Sequence, residues 1–244
     1  MKKLNNFYTD IYSFFILKKK LKKNRIKKIF SLIRVDNTFK TTNFNRMFDV
    51  NIILKNYIKK FFSKKKINIC DLGISSGQST LELYNELNKK NINYLYGFDK
   101  QIFIKIFKLN NLVFLYSLDN NLLMVEYKKY CLRYRYFIIF KQIQKILIYL
   151  FKIMKINYYK TDVLVPGLVK LKKFKFFEQD IFNIKKNYFN LFDVVRVTNL
   201  LNYSYFSKTQ LKLAIMNLNN IARENCIILI NRTTKEKKKC RKFF

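Results

Sequence analysis

The chain has no histidine and no tryptophan, one proline and four glycines in 244 residues. Without an imidazole base, Ser/His/Asp and Cys/His nucleophile systems are excluded. The commonest metal ligand is lost with it. Four cysteines, Cys70, Cys131, Cys226 and Cys240, form no CxxC pair, so no metal site is expected. Scattered single thiols fit a reducing compartment, and the expected location is cytoplasmic. No glycine is followed by Lys and Ser/Thr, which excludes a P-loop; GxGxxG fails too, because Gly73 is followed by Ser75 and Gln78. No apolar run approaches the roughly 20 residues of a membrane-spanning helix. The opening MKKLNNFYTDIYSFFILKKK is basic and then apolar. Asp10 interrupts it and Lys18–Lys20 stand where small cleavage-site residues belong, so no cleaved signal is expected.

Acids are also scarce: 15 Asp and Glu against 50 Lys and Arg, a formal net charge of +35. Such a field attracts polyanions, either RNA or an anionic membrane surface, and repels copies of the same chain. Abundant Lys, Asn, Ile, Phe and Tyr also fit a compositional bias. Half of the residues are hydrophobic and 17% aromatic, so disorder throughout is excluded. The length suits one domain with an extra segment.

Along the chain, residues 1–45 read as a basic N-terminal extension with weak helical patterning. Its segment 16–33 is either a basic amphipathic helix or, the preferred reading, a solvated arm. A helix follows, with Asp49 as cap and Val50, Ile53, Leu54, Tyr57, Ile58 and Phe61 at helical spacing. KINICDLG (66–73) is an apolar strand, SGQSTLELYNELNKK (76–90) a helix, and NYLYGFDK (93–100) a second strand. Together they make a crossover unit. Residues 101–173 break the alternation. They hold a hairpin over 112–127 turning at Asp119-Asn120-Asn121 and a helix over 137–154. Alternation resumes with strands at 174–182, 191–201 and 226–234. Between the last two, Ser207 caps a helix whose buried face is Leu211, Ala214, Ile215, Leu218 and Ile221. Apolar strands separated by helices predict an α/β fold: a Rossmann-like, doubly wound, mostly parallel sheet with helices on both faces. Residues 46–244 form that domain, with the insertion at about 101–173.

In such sheets ligands sit beyond the carboxyl ends of the strands. The first strand ends in Asp71, Gly73, Ser75 and Gly77. The second ends in Gly97 and Asp99, with Lys100 next, the third is followed by Asp180, and the fourth ends in Thr198 and Asn199. Glycines admit close approach and positive φ. N–H groups at a helix start suit a carboxylate. A strand-end carboxylate can accept both hydroxyls of a ribose. Alternatively, Gly and Asp are ordinary turn residues at any one of these positions.

DLGISSG resembles the first motif of class I S-adenosylmethionine-dependent methyltransferases, an acid followed by Gly-x-Gly-x-Gly at a strand-to-helix turn. It matches at Asp71, Gly73 and Gly77 and departs at Ser75. The resemblance, over roughly 66–100 and 174–233, implies that this loop wraps the methionine end of S-adenosylmethionine. It implies that Asp99 holds the ribose and that Asp180 faces the adenine amine with Ile181 beside the ring. FDVVRVTNLLN resembles the fourth-strand motif, implying a structural acid at Asp193 and Thr198 and Asn199 bordering the transfer site. Arg196, Asn199 and Asn202 are then candidates for orienting a methyl acceptor, with no dedicated base identifiable. That family's sheet usually closes with a further antiparallel hairpin, and with only a short charged tail after Thr234 that closure reads as missing or supplied from elsewhere. The competing class is a non-catalytic basic protein of the same fold docking on RNA or an anionic membrane.

Two further features stand apart. The helix at 137–154 has Lys141, Lys145 and Lys152 close to one face. It reads first as packed on the core and second as lying on anionic lipid. YKKYCLRYRYF (127–137) interleaves bases and aromatics in a manner suited to stacking nucleobases, a pattern common in this composition.

Overall fold

The computed structural model describes residues 2–3, 11–17, 30, 34–35, 38–39, 44–128, 130–133, 141–203, 206–233 and 238–242. The longer helices are α1 (Ile11–Leu17), α2 (Phe48–Phe62), α3 (Gln78–Glu86), α4 (Lys141–Ile153) and α5 (Lys208–Ile221). The longer strands are β1 (Ile67–Leu72), β2 (Ile92–Asp99), β3 (Phe103–Leu109), β4 (Leu112–Ser117), β5 (Leu122–Tyr127) and β6 (Tyr130–Arg133). They continue with β7 (Tyr158–Asp162), β8 (Phe174–Glu178), β9 (Phe192–Thr198), β10 (Ala222–Thr233) and β11 (Lys238–Lys242). The chain divides into two compact units: Met1–Thr42 with Gln101–Pro166, and Asn43–Lys100 with Gly167–Phe244. Sequence patterning treats residues 1–45 and the insertion as separate segments, whereas the first unit unites most of both.

The second unit is built on a sheet of order β8-β2-β1-β9-β10-β11. Neighbours from β8 through β10 are parallel, and β11 is antiparallel to β10. Counted along this unit, the order is 3-2-1-4-5-6, so the winding reverses between β1 and β9. This is the predicted mostly parallel α/β architecture. One expectation is corrected: the tail does close the sheet, since Lys238–Lys242 pairs with β10 from Thr233↔Lys238 to Leu229↔Lys242. Alternation in that tail is hidden by lysine, a residue that native edge strands carry to block further pairing.

Helices cover both faces. On one, Cys70 and Leu72 of β1 and Tyr96 and Phe98 of β2 pack with Ala214, Leu218 and Ile221 of α5. On the other, Asp71 is tied to Thr80 of α3, and Lys55 of α2 pairs with Glu86 of α3 at 3.3 Å. A reciprocal capping box starts α5: Ser207 Oγ accepts from Gln210 N (3.2 Å) and Gln210 Oε1 from Ser207 N (2.9 Å). Such caps contribute about 1 kcal/mol. Ile215, expected on the buried face, is exposed. Asp49 lies in the first turn of α2 but does not cap it, because the helix begins one residue earlier, at Phe48. Phe61 is exposed, and the buried stripe is Val50, Leu54, Ile58 and Phe62. Helix α3 stops at Glu86 because Asn88 captures the next backbone: its Oδ1 accepts from Lys90 N and its carbonyl from Asn91 N.

In the first unit, β3, β4, β5, β6 and β7 join Lys2–Lys3 in an antiparallel sheet of order Lys2–Lys3, β6, β5, β4, β3, β7. The 112–127 hairpin is present as β4–β5, with Lys105 Nζ donating to Leu118 O and Asn120 Oδ1 at its turn (both 2.8 Å). One face carries Phe107, Phe114 and Tyr116 against Phe151 of α4. From the other, buried Glu126 accepts the backbone N–H of Ile11 at 2.7 Å and anchors the start of α1. Most of 16–33 and part of 127–137 lie outside the described residues.

Candidate functional site

The residues singled out at the strand ends all belong to the second unit. β1 runs out at Leu72 into a tight loop in which Gly73 (φ 74°), Ser75 (φ 55°) and Gly77 (φ 75°) are all left-handed. Ser75 therefore adopts the backbone a middle glycine would adopt, at a cost of about 1–2 kcal/mol for an L-residue. Its backbone N–H is aimed at β2, where it donates to Asp99 Oδ2 at 2.7 Å. Gly73 N and Ile74 N both donate to Phe98 O, at 2.7 and 3.2 Å. The loop is thus sealed onto the end of β2. Gly77 is the N-cap of α3 and supplies no side chain to its first-turn N–H groups.

Gly73 is fixed twice, by its positive φ and by Leu200, whose Cβ and Cδ2 lie 3.2 Å from where a Cβ would stand. Gly97 has a different role from the one its strand-end position suggests. A Cβ there would meet Ile74 Cδ1 at 2.7 Å and Phe174 Cζ at 2.8 Å, so its missing side chain makes room for packing, not for a ligand.

Asp71 and Arg196 sit side by side on β1 and β9, across the winding reversal. Both are fully buried, with Arg196 Nη1 3.5 Å from Asp71 Oδ2. Arg196 also donates to Ser79 O (3.2 Å) and Ser79 Oγ (3.0 Å) in the first turn of α3, while Thr80 Oγ1 donates to Asp71 Oδ2 at 2.7 Å. Arg196 was expected to orient a substrate. It is instead an internal strut that fixes α3 and the loop from beneath. Burial pushes the Asp71 carboxyl above its ordinary value, against the opposing pull of Arg196 and Thr80. Among the described residues, Asp71 Oδ1 and Arg196 Nε have no hydrogen-bond partner.

The other expected residues line the carboxyl edge. Gln179 N donates to Asp99 O at 2.9 Å and carries β8 alongside the end of β2. Asp180 is half-buried; its Oδ1 accepts from Phe182 N at 3.0 Å, and its Oδ2 is 3.9 Å from the Lys100 ammonium. Ile181 is buried in the cluster of Phe98 and Tyr188, its carbonyl held by Asn217 Nδ2 at 2.8 Å. Thr198 ends β9, and Asn199 turns off the sheet at φ 56° with its N–H on Asn231 O at 2.8 Å. Asn202 lies in the following loop, its carbonyl accepting from Phe206 N at 3.1 Å. Asp193 occupies the opposite, amino-terminal end of the sheet. Its carboxylate accepts from Asn68 N (2.9 Å), Lys65 Nζ (3.0 Å) and Arg223 Nη1 (3.2 Å). Burial alone would raise its pKa; the Asn68 N–H, Lys65 and Arg223 outweigh it and hold the carboxyl below its ordinary value.

Sequence reasoning missed Ser79, Thr80 and Leu200, because nothing in the pattern shows which side chains meet beneath the loop. It also missed Asn231 and Asn51, both buried. Asn231 pairs with Thr198 and sits 3.6 Å from the Met47 sulfur; among the described residues Asn51 has no hydrogen-bond partner for either amide atom. Cys70 and Cys226 are poor nucleophiles. Burial pushes Cys70 well above its ordinary value and Cys226 up to about 12. Among the described residues no group of three or more His, Cys, Asp or Glu is placed to hold a metal. A cavity of about 410 Å³ belongs to the first unit, between Phe15, Phe103, Tyr159 and Asp162, and includes none of these strand-end residues.

No family model and no curated protein matches the chain. Among solved structures it resembles the CurJ carbon methyltransferase at 13% identity and a TM-score of 0.41, covering 76% of this chain and 35% of that one. It also resembles the N-methyltransferase NodS from Bradyrhizobium japonicum, in complex with S-adenosyl-L-homocysteine, at 12% and 0.41, covering 85% and 71%. A third resemblance is to the [4+2]-cyclase SpnF, at 10% and 0.35, covering 76% and 47%. The chain spans about a third of the length of the first of these. At such identities and scores the likenesses carry no conclusion about activity, and the strand order above rests on the pairing of the strands themselves.

Proposed function

We propose that the second unit binds S-adenosylmethionine and is a methyltransferase whose acceptor the site does not name. The observation that carries this reading is the hydrogen bond from Ser75 N–H to Asp99. It joins a three-point left-handed loop after β1 to the carboxylate after β2, at the winding reversal where α/β sheets take their ligands. The residues present fit the cofactor. The N–H groups opening α3, without a side-chain cap, suit the methionine carboxylate. Asp99, placed at the end of β2 beside the loop, suits the ribose hydroxyls as a charge-assisted acceptor. Asp180, with Lys100 beside it, suits the adenine edge, and Ile181 supports the ring from the core. Bound S-adenosylmethionine supplies an activated sulfonium methyl group, so the protein's part is mainly positioning.

In that division of labour, Asp71 and Arg196 are positioning residues. They hold α3 and the loop through Ser79 and Thr80, and their full burial beneath the loop keeps them from meeting the cofactor directly. Thr198, Asn199 and Asn202 border the place where an acceptor would lie. Thermal unfolding with and without S-adenosylhomocysteine tests the reading. A ligand held at a hundred times its dissociation constant stabilises the fold by about 2.7 kcal/mol, so a clear rise in Tm is expected. No rise at millimolar ligand would return the chain to the non-catalytic reading.

A further inference from the structure

Helix α4 has two apolar faces, and among the described residues one is packed and the other is exposed. Phe151 is buried with Leu147 and Ile148 against Phe107, Phe114 and Tyr116. On the opposite side Ile146, Tyr149, Leu150, Ile153 and Met154 stand 42% to 64% exposed. Positions 146, 149, 150 and 153 follow the i, i+3, i+4, i+7 spacing of one helical stripe. A contiguous apolar stripe of this kind on a surface marks an interaction site.

The charge of the sequence on either side of the stripe selects its occupant. No Asp or Glu lies between Glu126 and Asp162, while nine Lys and Arg do. By spacing, positions 141, 145 and 152 fall on one line of α4, and Lys152 is exposed. A second copy of the chain would bring +35 against +35, which opposes pairing through this face. Nucleic acid would satisfy the lysines but leave the apolar stripe in water. An anionic bilayer surface satisfies both: the stripe enters the headgroup–acyl boundary while lysine stems reach back to the phosphates. Among the described residues no helix is long and apolar enough to cross a membrane, so the contact would be interfacial. We infer that α4 is an interfacial anchor that docks the protein on an anionic phospholipid surface, independently of what the second unit does.

The absence of tryptophan makes this directly readable. Tyr149→Trp introduces the chain's one indole on the exposed stripe. The full-length variant is mixed with vesicles of phosphatidylcholine containing about one-quarter phosphatidylglycerol, and with phosphatidylcholine alone. Its emission should shift to the blue and be quenched by brominated acyl chains only with the anionic vesicles. In sedimentation with the same vesicles, Ile146→Glu/Ile153→Glu should bind at least about tenfold more weakly than the unmodified chain. Near-UV circular dichroism checks its fold. Three outcomes overturn the inference. One is an indole that stays solvent-exposed on anionic vesicles. Another is equal vesicle binding by the double variant. The third is a dimer or an RNA complex that those two substitutions abolish while the vesicles leave the indole unmoved.

Discussion

Ser75 carries a side chain through a backbone conformation that glycine adopts without strain. Ser75→Gly should therefore stabilise the fold, by about 0.5–1 kcal/mol once the extra freedom of the unfolded chain is subtracted. Gly73→Ala should destabilise it by about 1–3 kcal/mol, because the φ of 74° and Leu200 at 3.2 Å both resist a Cβ. Urea unfolding of the two variants checks both signs. Asp193 sets a pH dependence of definite direction. Its carboxyl is depressed in the folded state, so its contribution is present above the ordinary carboxylate pKa and lost as pH falls through the folded value. Asp193→Asn should cost about 1.5–3 kcal/mol at neutral pH, with Lys65 and Arg223 partly screened by solvent. The deficit against the unmodified chain should shrink as the solution is acidified.

Three elements, β1, β9 and the first turn of α3, meet at Arg196. Replacing it with Met removes the guanidinium and leaves the Asp71 carboxyl buried without its counter-charge. The expected loss is about 3–5 kcal/mol, much of it regained when Asp71→Asn is added. Chemical denaturation of the single and double variants measures both quantities. This strut shows where the sequence stops being legible. Asp71 and Arg196 were visible as strand residues, and Val-rich FDVVRVT was readable as a buried strand. That the two charged side chains share one face, one register and one helix turn is a property of the strand pairing, which periodicity does not contain. The parallel strands were legible because they are short apolar runs separated by helices with an apolar stripe. The sheet of the first unit was legible only as its central hairpin. β3 and β7 carry lysines among their apolar residues, and the first unit also draws strand Lys2–Lys3 and α1 from the start of the chain. Gly97 misled for a related reason: a glycine that admits Ile74 and Phe174 looks, in sequence, like one that admits a ligand.

At the scale of the whole molecule, a net charge of +35 works against the folded state by self-repulsion. Raising ionic strength from very low values to about 0.15 M, where the screening length is about 8 Å, should raise Tm by several degrees. Scanning calorimetry across a salt series reads this directly; a Tm independent of salt would mean that the charges are spaced widely enough not to interact. The proposed roles divide along the same lines as the structure: cofactor chemistry in the parallel sheet of the second unit, surface docking on α4 of the first. The first role is the central claim, and Asp99 is its most exposed point. The decisive measurement is isothermal titration calorimetry of S-adenosylhomocysteine against the unmodified chain and Asp99→Asn. That substitution keeps an oxygen for the Ser75 N–H and removes the charge. Saturable binding by the unmodified chain, weakened about tenfold or more in the variant, is the predicted result. Equal affinity in the two proteins, or no heat of binding at millimolar ligand, would contradict it.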